Sequence, residues 1–512
     1  MHHLTTPQQA SQWLASHVTG ALHTSSKKIK PGDGFIAWPG AVSDGRLFVQ
    51  NALDAGASAC LVEAQEAEGF GLRDARIASY TGLKAVTGLI AADFYHQPSD
   101  QLDMVAITGT NGKTSTAWWV AQALNALGYA SPAKRKTLSK SELSEQYSCG
   151  LVGTLGVGIP GKMVFTGNTT PDPVLLQAAL AGMLSAGASA CAIEATSIGL
   201  AEQRMAGVAV RTVVFTNFTQ DHLDYHATMQ AYWQAKLALF NWPGLQAAVV
   251  NLDDPMGAEL ADHCAARGVQ VWTVSQLRTD ARVWAHEVQY TDAGMQLTVR
   301  EAAEVAVVQC AVVGSYNVDN LLCAMGALRS LNVSLTDAAR AVSQCTAVPG
   351  RMECVITPDA PLVSVDYAHT PDALDKVLGA LRPMAQARSG QLWCVFGCGG
   401  DRDASKRPKM AAVAQAKADK LVVTSDNPRK EAAQSIIDQI VVGLPASHRA
   451  HIQADRAVAI AYAISHAKPN DVVLIAGKGA EDYQDISGVK HPFSDLAHAN
   501  AALSRYASGA HP

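Results

Sequence analysis

Thr108-Gly109-Thr110-Asn111-Gly112-Lys113-Thr114-Ser115 stands between the apolar run beginning at Met104 and an amphipathic segment with helical periodicity. A strand that turns through glycines straight into a helix is the context a phosphate loop requires. The glycines let backbone N–H groups approach phosphate oxygens, and the helix N-terminus adds partial positive charge. Lys113 is placed to reach the β- and γ-phosphates and Thr114 to ligate Mg²⁺. A purely structural glycine turn has no need of Lys and Thr at the helix start. The spacing is Gly-x-x-Gly-Lys-Thr, and Ile107 occupies the place where the longer consensus loop has its first Gly. That departure points away from an ordinary kinase or GTPase.

Short apolar runs alternate with helix-like segments on either side of this loop. Met104–Thr108, Ala188–Glu194, Thr212–Asn217 and Ala247–Asn251 read as buried parallel strands. Such alternation predicts an α/β fold with a doubly wound, mostly parallel sheet. A third region begins near Pro349-Gly350-Arg351, with strands expected at Leu362–Asp366, Leu392–Phe396, Lys420–Thr424 and Val472–Ala476, a smaller Rossmann-like α/β domain. The first hundred residues mix helix-like and strand-like runs around the turn Pro39–Arg46, so the domains are expected at 1–101, 102–346 and 347–512. Three domains suit 512 residues at roughly 100–200 each. Ser131–Ser148 reads as a polar, basic, exposed insertion.

Composition excludes several classes. Hydrophobic residues are 48% and charged residues 17%, enough apolar surface to build packed cores. A net charge of −5 gives no footprint for nucleic acid. Without a basic-apolar leader or an apolar run of about 18 residues, no membrane insertion and a cytoplasmic location are expected. The ten Cys are scattered in apolar runs, and Cys394 and Cys398 lack a second ligand pair, so reduced core thiols are expected rather than a zinc site.

Acidic and imidazole groups follow the strands, where open α/β sheets bind ligands. Glu194 ends one apolar run, and Asp221-His222-Leu223-Asp224-Tyr225-His226 follows another. Singly, Glu194 reads as a helix cap and His222 as a loop residue; together beside a phosphate loop they suit a divalent cation.

The ordered set Gly109–Thr114, Asn168-Thr169-Thr170-Pro171, Glu194, Asp221–His226, Ala235-Lys236, Asn317-Val318-Asp319-Asn320, Gly350–Glu353 and Asp366-Tyr367-Ala368-His369 resembles the Mur ligase family. The motifs Gly399–Asp403, Asp426-Asn427-Pro428-Arg429 and Gly477–Glu481 look like its diaminopimelate-adding branch. The resemblance implies a UDP-binding, an ATPase and an amino-acid-binding domain in a monomer. It also implies an ATP- and Mg²⁺-dependent ligase joining meso-diaminopimelate to UDP-MurNAc-L-Ala-D-Glu through an acyl phosphate, in peptidoglycan precursor synthesis. ATP would lie on Gly109, Thr110, Asn111, Gly112, Lys113 and Thr114, with Asn317, Arg351, Asp366 and His369 contributing. Mg²⁺ would be held by Thr114, Glu194 and His222, with Lys236 as a carbamate; Lys113, Lys236, His222 and Glu194 form the implied catalytic set.

By the same resemblance, the UDP-sugar peptide would contact Ser26, Ala41, Val42, Ser43, Asn168, Thr169, Thr170, Thr196, Glu202 and Arg204. Diaminopimelate would meet Arg402, Asp426, Asn427, Pro428, Arg429, Gly477 and Glu481. Arg429 is the informative position, because a guanidinium pairs bidentately with the second carboxylate that distinguishes diaminopimelate from lysine. Ile198 and Ala480 stand where many relatives have His, and Glu202 where they have Gln. Folylpolyglutamate synthase, a hydrolytic ATPase and a non-catalytic nucleotide-binding regulator are the rival readings. Asn168–Pro171 and the Arg429 motif favour the muramyl substrate over these.

Overall fold

Asp103–Thr108 is a strand in which every residue is buried, paired in parallel with Ala188–Glu194 on one side and Thr212–Phe215 on the other. Helices cover both faces of such a strand, which is why its sequence is a continuous apolar run rather than an alternation. The chain leaves this strand toward one side of the sheet and later returns to the other. This reversal makes its carboxyl end, where the phosphate loop begins, the switch point of the sheet.

The structure is a computed structural model describing residues 2–40, 43–131, 148–291, 294–447 and 450–508. Ala41, Val42 and residues 132–147 of the expected insertion lie outside the described residues. Outward from the central strand the sheet runs through Ala247–Asn251 and Gln270–Ser275 in one direction and Ser148–Gly153 in the other, all parallel. The antiparallel strands Gly156–Ile159 and Lys162–Val164 close one edge. Three further strands, Val283–Thr291, Gly294–Glu301 and Glu304–Cys310, extend the other. These edge strands were not expected: polar residues interrupt each of them, most regularly in Gly294–Glu301, so none is apolar from end to end.

The chain divides into two compact units, Met1–His286 with Thr298–Val308 and Asp319–Cys345, and Glu287–Leu297 with Gln309–Val318 and Thr346–Pro512. The first unit also contains a smaller parallel sheet, ordered His2–Leu4, Ile77–Tyr80, Ala59–Glu63, Gly34–Ala37, Leu22–His23. Its last helix, Leu83–Phe94, approaches the backbone near Ala206 so closely that a Cβ at Gly88 would collide with the Ala206 carbonyl.

The second unit is built on a six-stranded sheet ordered Glu353–Val355, Leu362–Asp366, Val472–Ala476, Leu392–Phe396, Lys420–Val423, His451–Ile452. All pairs are parallel except the first. Alternate residues face two separate cores: Val363, Val365, Val395 and Val473 on one side, Leu362, Cys394, Phe396 and Leu474 on the other. All ten cysteines are free and nine are buried, as expected of core thiols. No helix among the described residues is long and apolar enough to cross a membrane.

One buried ion pair organises this unit. Arg456 and Asp495 are both fully buried and joined at 2.7 Å through Nε and Nη2, while the remaining guanidinium donors reach the carbonyls of Ser425 and Ala476 at two strand ends. Removing one partner strands the other charge. Asp495→Ala should therefore destabilise the second unit by about 3–5 kcal/mol, read by denaturant unfolding; a loss below about 1 kcal/mol, the scale of an exposed pair, would show that this pair does not hold the strand ends.

Candidate active site

Two glycines shape the phosphate loop. Gly109 and Gly112 have φ of +148° and +82°; a Cβ on the first would strike the Thr216 hydroxyl and on the second the Asn320 amide. The following strand end braces the loop: Asn217 accepts from Thr110 N at 2.9 Å and Asn111 N at 2.8 Å, and Thr216 Oγ1 donates to Asn111 O at 2.6 Å. The helix Lys113–Ala126 begins directly after Gly112, which offers its N-terminus no side-chain cap. Uncapped helix N–H groups, a loop that only glycine can form and a lysine at its end fit an anionic phosphate chain. Lys113 Nζ folds back onto the carbonyls of Gly109 and Thr110, both at 2.9 Å.

Glu194 is buried at the end of its strand and joined to the loop helix, its Oε2 accepting from Thr114 Oγ1 at 2.9 Å. Its other oxygen accepts from Thr154 N at 2.8 Å, and Thr154 Oγ1 lies 3.1 Å from Thr169 Oγ1. The structure thus brings together Thr114, Glu194 and Thr169, and adds Thr154. Sequence reasoning passed over Thr154; its one signal was its place immediately after the strand Ser148–Gly153. The hard oxygen donors of Thr114 and Glu194 suit Mg²⁺.

Lys236 lies on the helix Met229–Phe240, one hundredth exposed, with Nζ donating to Gly109 O at 2.7 Å. It sits 4.6 Å from the Tyr232 ring centre. Burial first, and then the nearby Lys113 cation, hold its pKa well below the usual lysine range. Both effects favour the unprotonated amine. His222 instead sits half exposed in a left-handed turn at φ +51°, its Nε2 3.5 Å from Asp221 and its ring 6.0 Å from that of Tyr232. Among the described residues no three His, Cys, Asp or Glu side chains gather as a metal cluster.

Beside these groups Thr170 Oγ1 donates to Glu194 O at 2.8 Å and lies 2.9 Å from Thr196 Oγ1, while Arg204 Nη1 donates to Thr170 O at 3.0 Å. Asn168 is exposed on the preceding turn. Glu202 is engaged differently from its neighbours: Lys84 of the N-terminal sheet's last helix and Tyr225 both bind its carboxylate, and these contacts lower its pKa. In the N-terminal sheet, Ser26 and Ser43 line a cavity of about 340 Å³ together with Phe35, Trp38 and Phe48.

In the second unit, Asp366 accepts from Met352 N and Ala368 N, each at 2.8 Å, and Arg351 stacks over Tyr367 at 4.8 Å. Burial raises the Asp366 pKa against the opposing Arg351 charge. His369 is exposed, with its Nδ1 2.8 Å from Tyr367 O. Asn317 donates to Val313 O at 2.6 Å. A further group forms where Leu392–Phe396, Lys420–Val423 and Val472–Ala476 end. Asn427 Nδ2 donates to Glu481 Oε2 at 2.8 Å, Arg429 Nη1 to Gly400 O at 2.8 Å, and Asp426 Oδ1 accepts from Asn427 N at 2.6 Å. Gly477 has φ +123°, and a Cβ there would strike the Asp426 carboxylate. Pro428 O accepts from Glu431 N at 3.0 Å, and Arg402 is exposed nearby, its Cγ 3.8 Å from where a Cβ on Gly399 would stand. The expected amino-acid contacts therefore converge on one set of strand ends.

The Mur ligase middle domain matches residues 107–328 and the Mur ligase glutamate ligase domain residues 350–479. A UDP-N-acetylmuramoyl-L-alanyl-D-glutamate–2,6-diaminopimelate ligase of Acidovorax sp. is 55% identical, covering 99% of this chain and 98% of its own. One of the same description from Pseudomonas aeruginosa is 44% identical, covering 95% of each. A solved structure of a UDP-N-acetylmuramoyl-L-alanyl-D-glutamate–2,6-diaminopimelate ligase superposes with a TM-score of 0.68 at 32% identity, covering 96% of this chain and 95% of the other.

Proposed function

Since the chain belongs to the Mur ligase family, we propose that it joins meso-diaminopimelate to the D-Glu γ-carboxylate of UDP-MurNAc-L-Ala-D-Glu, using ATP, in peptidoglycan precursor synthesis. One observation carries the reading: a phosphate loop hydrogen-bonded to a buried carboxylate through Thr114 and Glu194, in a chain that also holds Arg429, Asn427 and Glu481 at one set of strand ends. A hydrolytic ATPase needs only the first of these. In this reading residues 1–101 bind the UDP moiety, with Ser26 and Ser43 in the aromatic-walled cavity, residues 102–346 bind ATP, and residues 347–512 bind the amino acid.

The chemistry follows from the poor leaving group of a carboxylate. Bound ATP supplies a γ-phosphoryl group that converts the carboxylate into an acyl phosphate, and Mg²⁺ neutralises charge on the transferred group. The amine at the L centre of diaminopimelate attacks the acyl carbon, inorganic phosphate leaves, and the amine gives up its proton. Lys113 supplies positive charge where phosphoryl oxygens gather, and the loop N–H groups orient them. Thr114, Glu194 and His222 are the proposed Mg²⁺ ligands. Thr169, Thr170 and Arg204 sit on the Glu194 network and position the peptide end of the nucleotide-sugar substrate.

Lys236 completes the cation site in this proposal. Its unprotonated Nζ attacks the carbon of CO₂, the N–C bond forming as one C=O π pair moves to oxygen and the nitrogen gives its proton to solvent; the resulting carbamate would offer carboxylate oxygens to a divalent cation. The low pKa imposed by burial supports this, because only the unprotonated amine reacts.

Phosphate release from ATP should require both UDP-MurNAc-L-Ala-D-Glu and diaminopimelate; release with neither would identify a simple ATPase, and no release under any combination a regulator. Lys236→Ala should lose roughly a hundredfold or more in turnover and recover measurable activity when formate supplies a small carboxylate. Full activity without any added anion would remove the carbamate from the account.

A further inference from the structure

Lys478 is fully buried, yet neither the phosphate loop nor the sugar-binding region uses it. Its ammonium donates to Asn427 Oδ1 at 3.0 Å and to Glu481 Oε2 at 2.9 Å. A buried ammonium is costly unless well paired, so two such contacts on two expected amino-acid contacts call for a functional explanation.

The hydrogen bonds define what this cation fixes. Asn427 Oδ1 accepts from Lys478 and from Asp485 N at 2.9 Å, which leaves its Nδ2 as the group that donates to Glu481. Glu481 Oε2 is therefore held by two donors, while Oε1 has no hydrogen-bond partner among the described residues and the side chain is one-quarter exposed. The same network reaches Arg429. Its backbone N donates to Asp485 O at 2.9 Å and its carbonyl accepts from Ser487 N at 2.7 Å, at a strained φ of +51°. The ammonium is thus joined directly to the Glu481 carboxylate and, through Asn427 and the strand Tyr483–Ile486, to the backbone of Arg429, whose guanidinium donates to Gly400 O.

We propose that Lys478 is a positioning residue for the amino-acid substrate, holding Glu481 to accept the distal ammonium of diaminopimelate while the braced Arg429 receives the carboxylate on the same carbon. The inference rests on the reading of Glu481, Asn427 and Arg429 as amino-acid contacts. It adds a specificity element: lysine offers that end an ammonium without a carboxylate, so discrimination depends on the spacing between Glu481 and Arg429, and Lys478 maintains that spacing.

The test is steady-state kinetics of full-length Lys478→Met, a variant of similar length without the charge. KM for diaminopimelate should rise ~10- to 100-fold from misplaced contacts, KM for ATP and for UDP-MurNAc-L-Ala-D-Glu should stay within about twofold because those contacts lie elsewhere, and the diaminopimelate-to-lysine preference should fall. An unchanged KM for diaminopimelate, or a parallel loss for all three substrates with a lowered melting temperature, overturns the proposal. Glu481→Gln separates the two levels of the reading. If it raises KM for diaminopimelate while Lys478→Met does not, only the positioning role falls; if neither variant raises it, the assignment of Glu481 falls too. Should Lys478→Met not fold, Lys478→Gln, which keeps one donor, decides the same comparison. Failure of both to fold would make Lys478 a stabilising residue and overturn the proposal.

Discussion

The carbonyl of Gly109 accepts from two lysines, Lys113 at 2.9 Å and Lys236 at 2.7 Å, in a peptide unit that no residue with a Cβ could occupy. Much of the first unit's site depends on that constraint. The loop must pass against Thr216 to place N–H groups at the helix start, and this close passage brings its carbonyl within reach of the helix bearing Lys236. Burial, and then the Lys113 cation beside it, lower the Lys236 pKa well below the usual lysine range. The loop thereby fixes both the uncapped helix start and the seat of the Lys236 amine.

A second chain of contacts joins the segment around Thr170 to the phosphate loop. Glu194 receives Thr114 on one oxygen and Thr154 on the other, and its own carbonyl receives Thr170. A shift of the Asn168–Thr170 segment is therefore felt at the carboxylate beside the phosphate loop. Selective use of binding energy requires such coupling, since contacts made with remote parts of a substrate help only if they align the reacting groups. In the second unit, Arg456, paired with Asp495, donates to the carbonyls of Ser425 and Ala476, and Lys478 donates to Asn427 and Glu481.

The buried strands were legible because parallel strands covered on both faces must be continuously apolar. Ala188–Glu194, Ala247–Asn251, Leu362–Asp366, Leu392–Phe396 and Val472–Ala476 form as expected. Thr212 begins the next strand but Phe215 ends it, because Thr216 and Asn217 turn aside to hold the loop. The Val283–Cys310 strands escaped because polar residues break up their apolar character, and only Glu304–Cys310 of the last two exposes several side chains. The loop motif and Glu194 could be read from local pattern. Thr154, Lys84 and Lys478 could not, since each owes its role to tertiary contacts: Thr154 and Glu194 stand 40 residues apart, and Lys478 and Asn427 51. Glu202, which the resemblance implies as a substrate contact although relatives have Gln there, has its carboxylate held by Lys84 and Tyr225, contacts that local pattern does not show.

The account as a whole stands on the identity of the amine that ends the reaction. With ATP, Mg²⁺ and UDP-MurNAc-L-Ala-D-Glu present, a panel of amino acids including meso-diaminopimelate and lysine, with products identified by mass, tests it most directly. The account predicts a tripeptide product with meso-diaminopimelate, formed with one phosphate released per amide bond, and a far lower kcat/KM with lysine. Equal use of lysine, or phosphate release without any tripeptide, would contradict it.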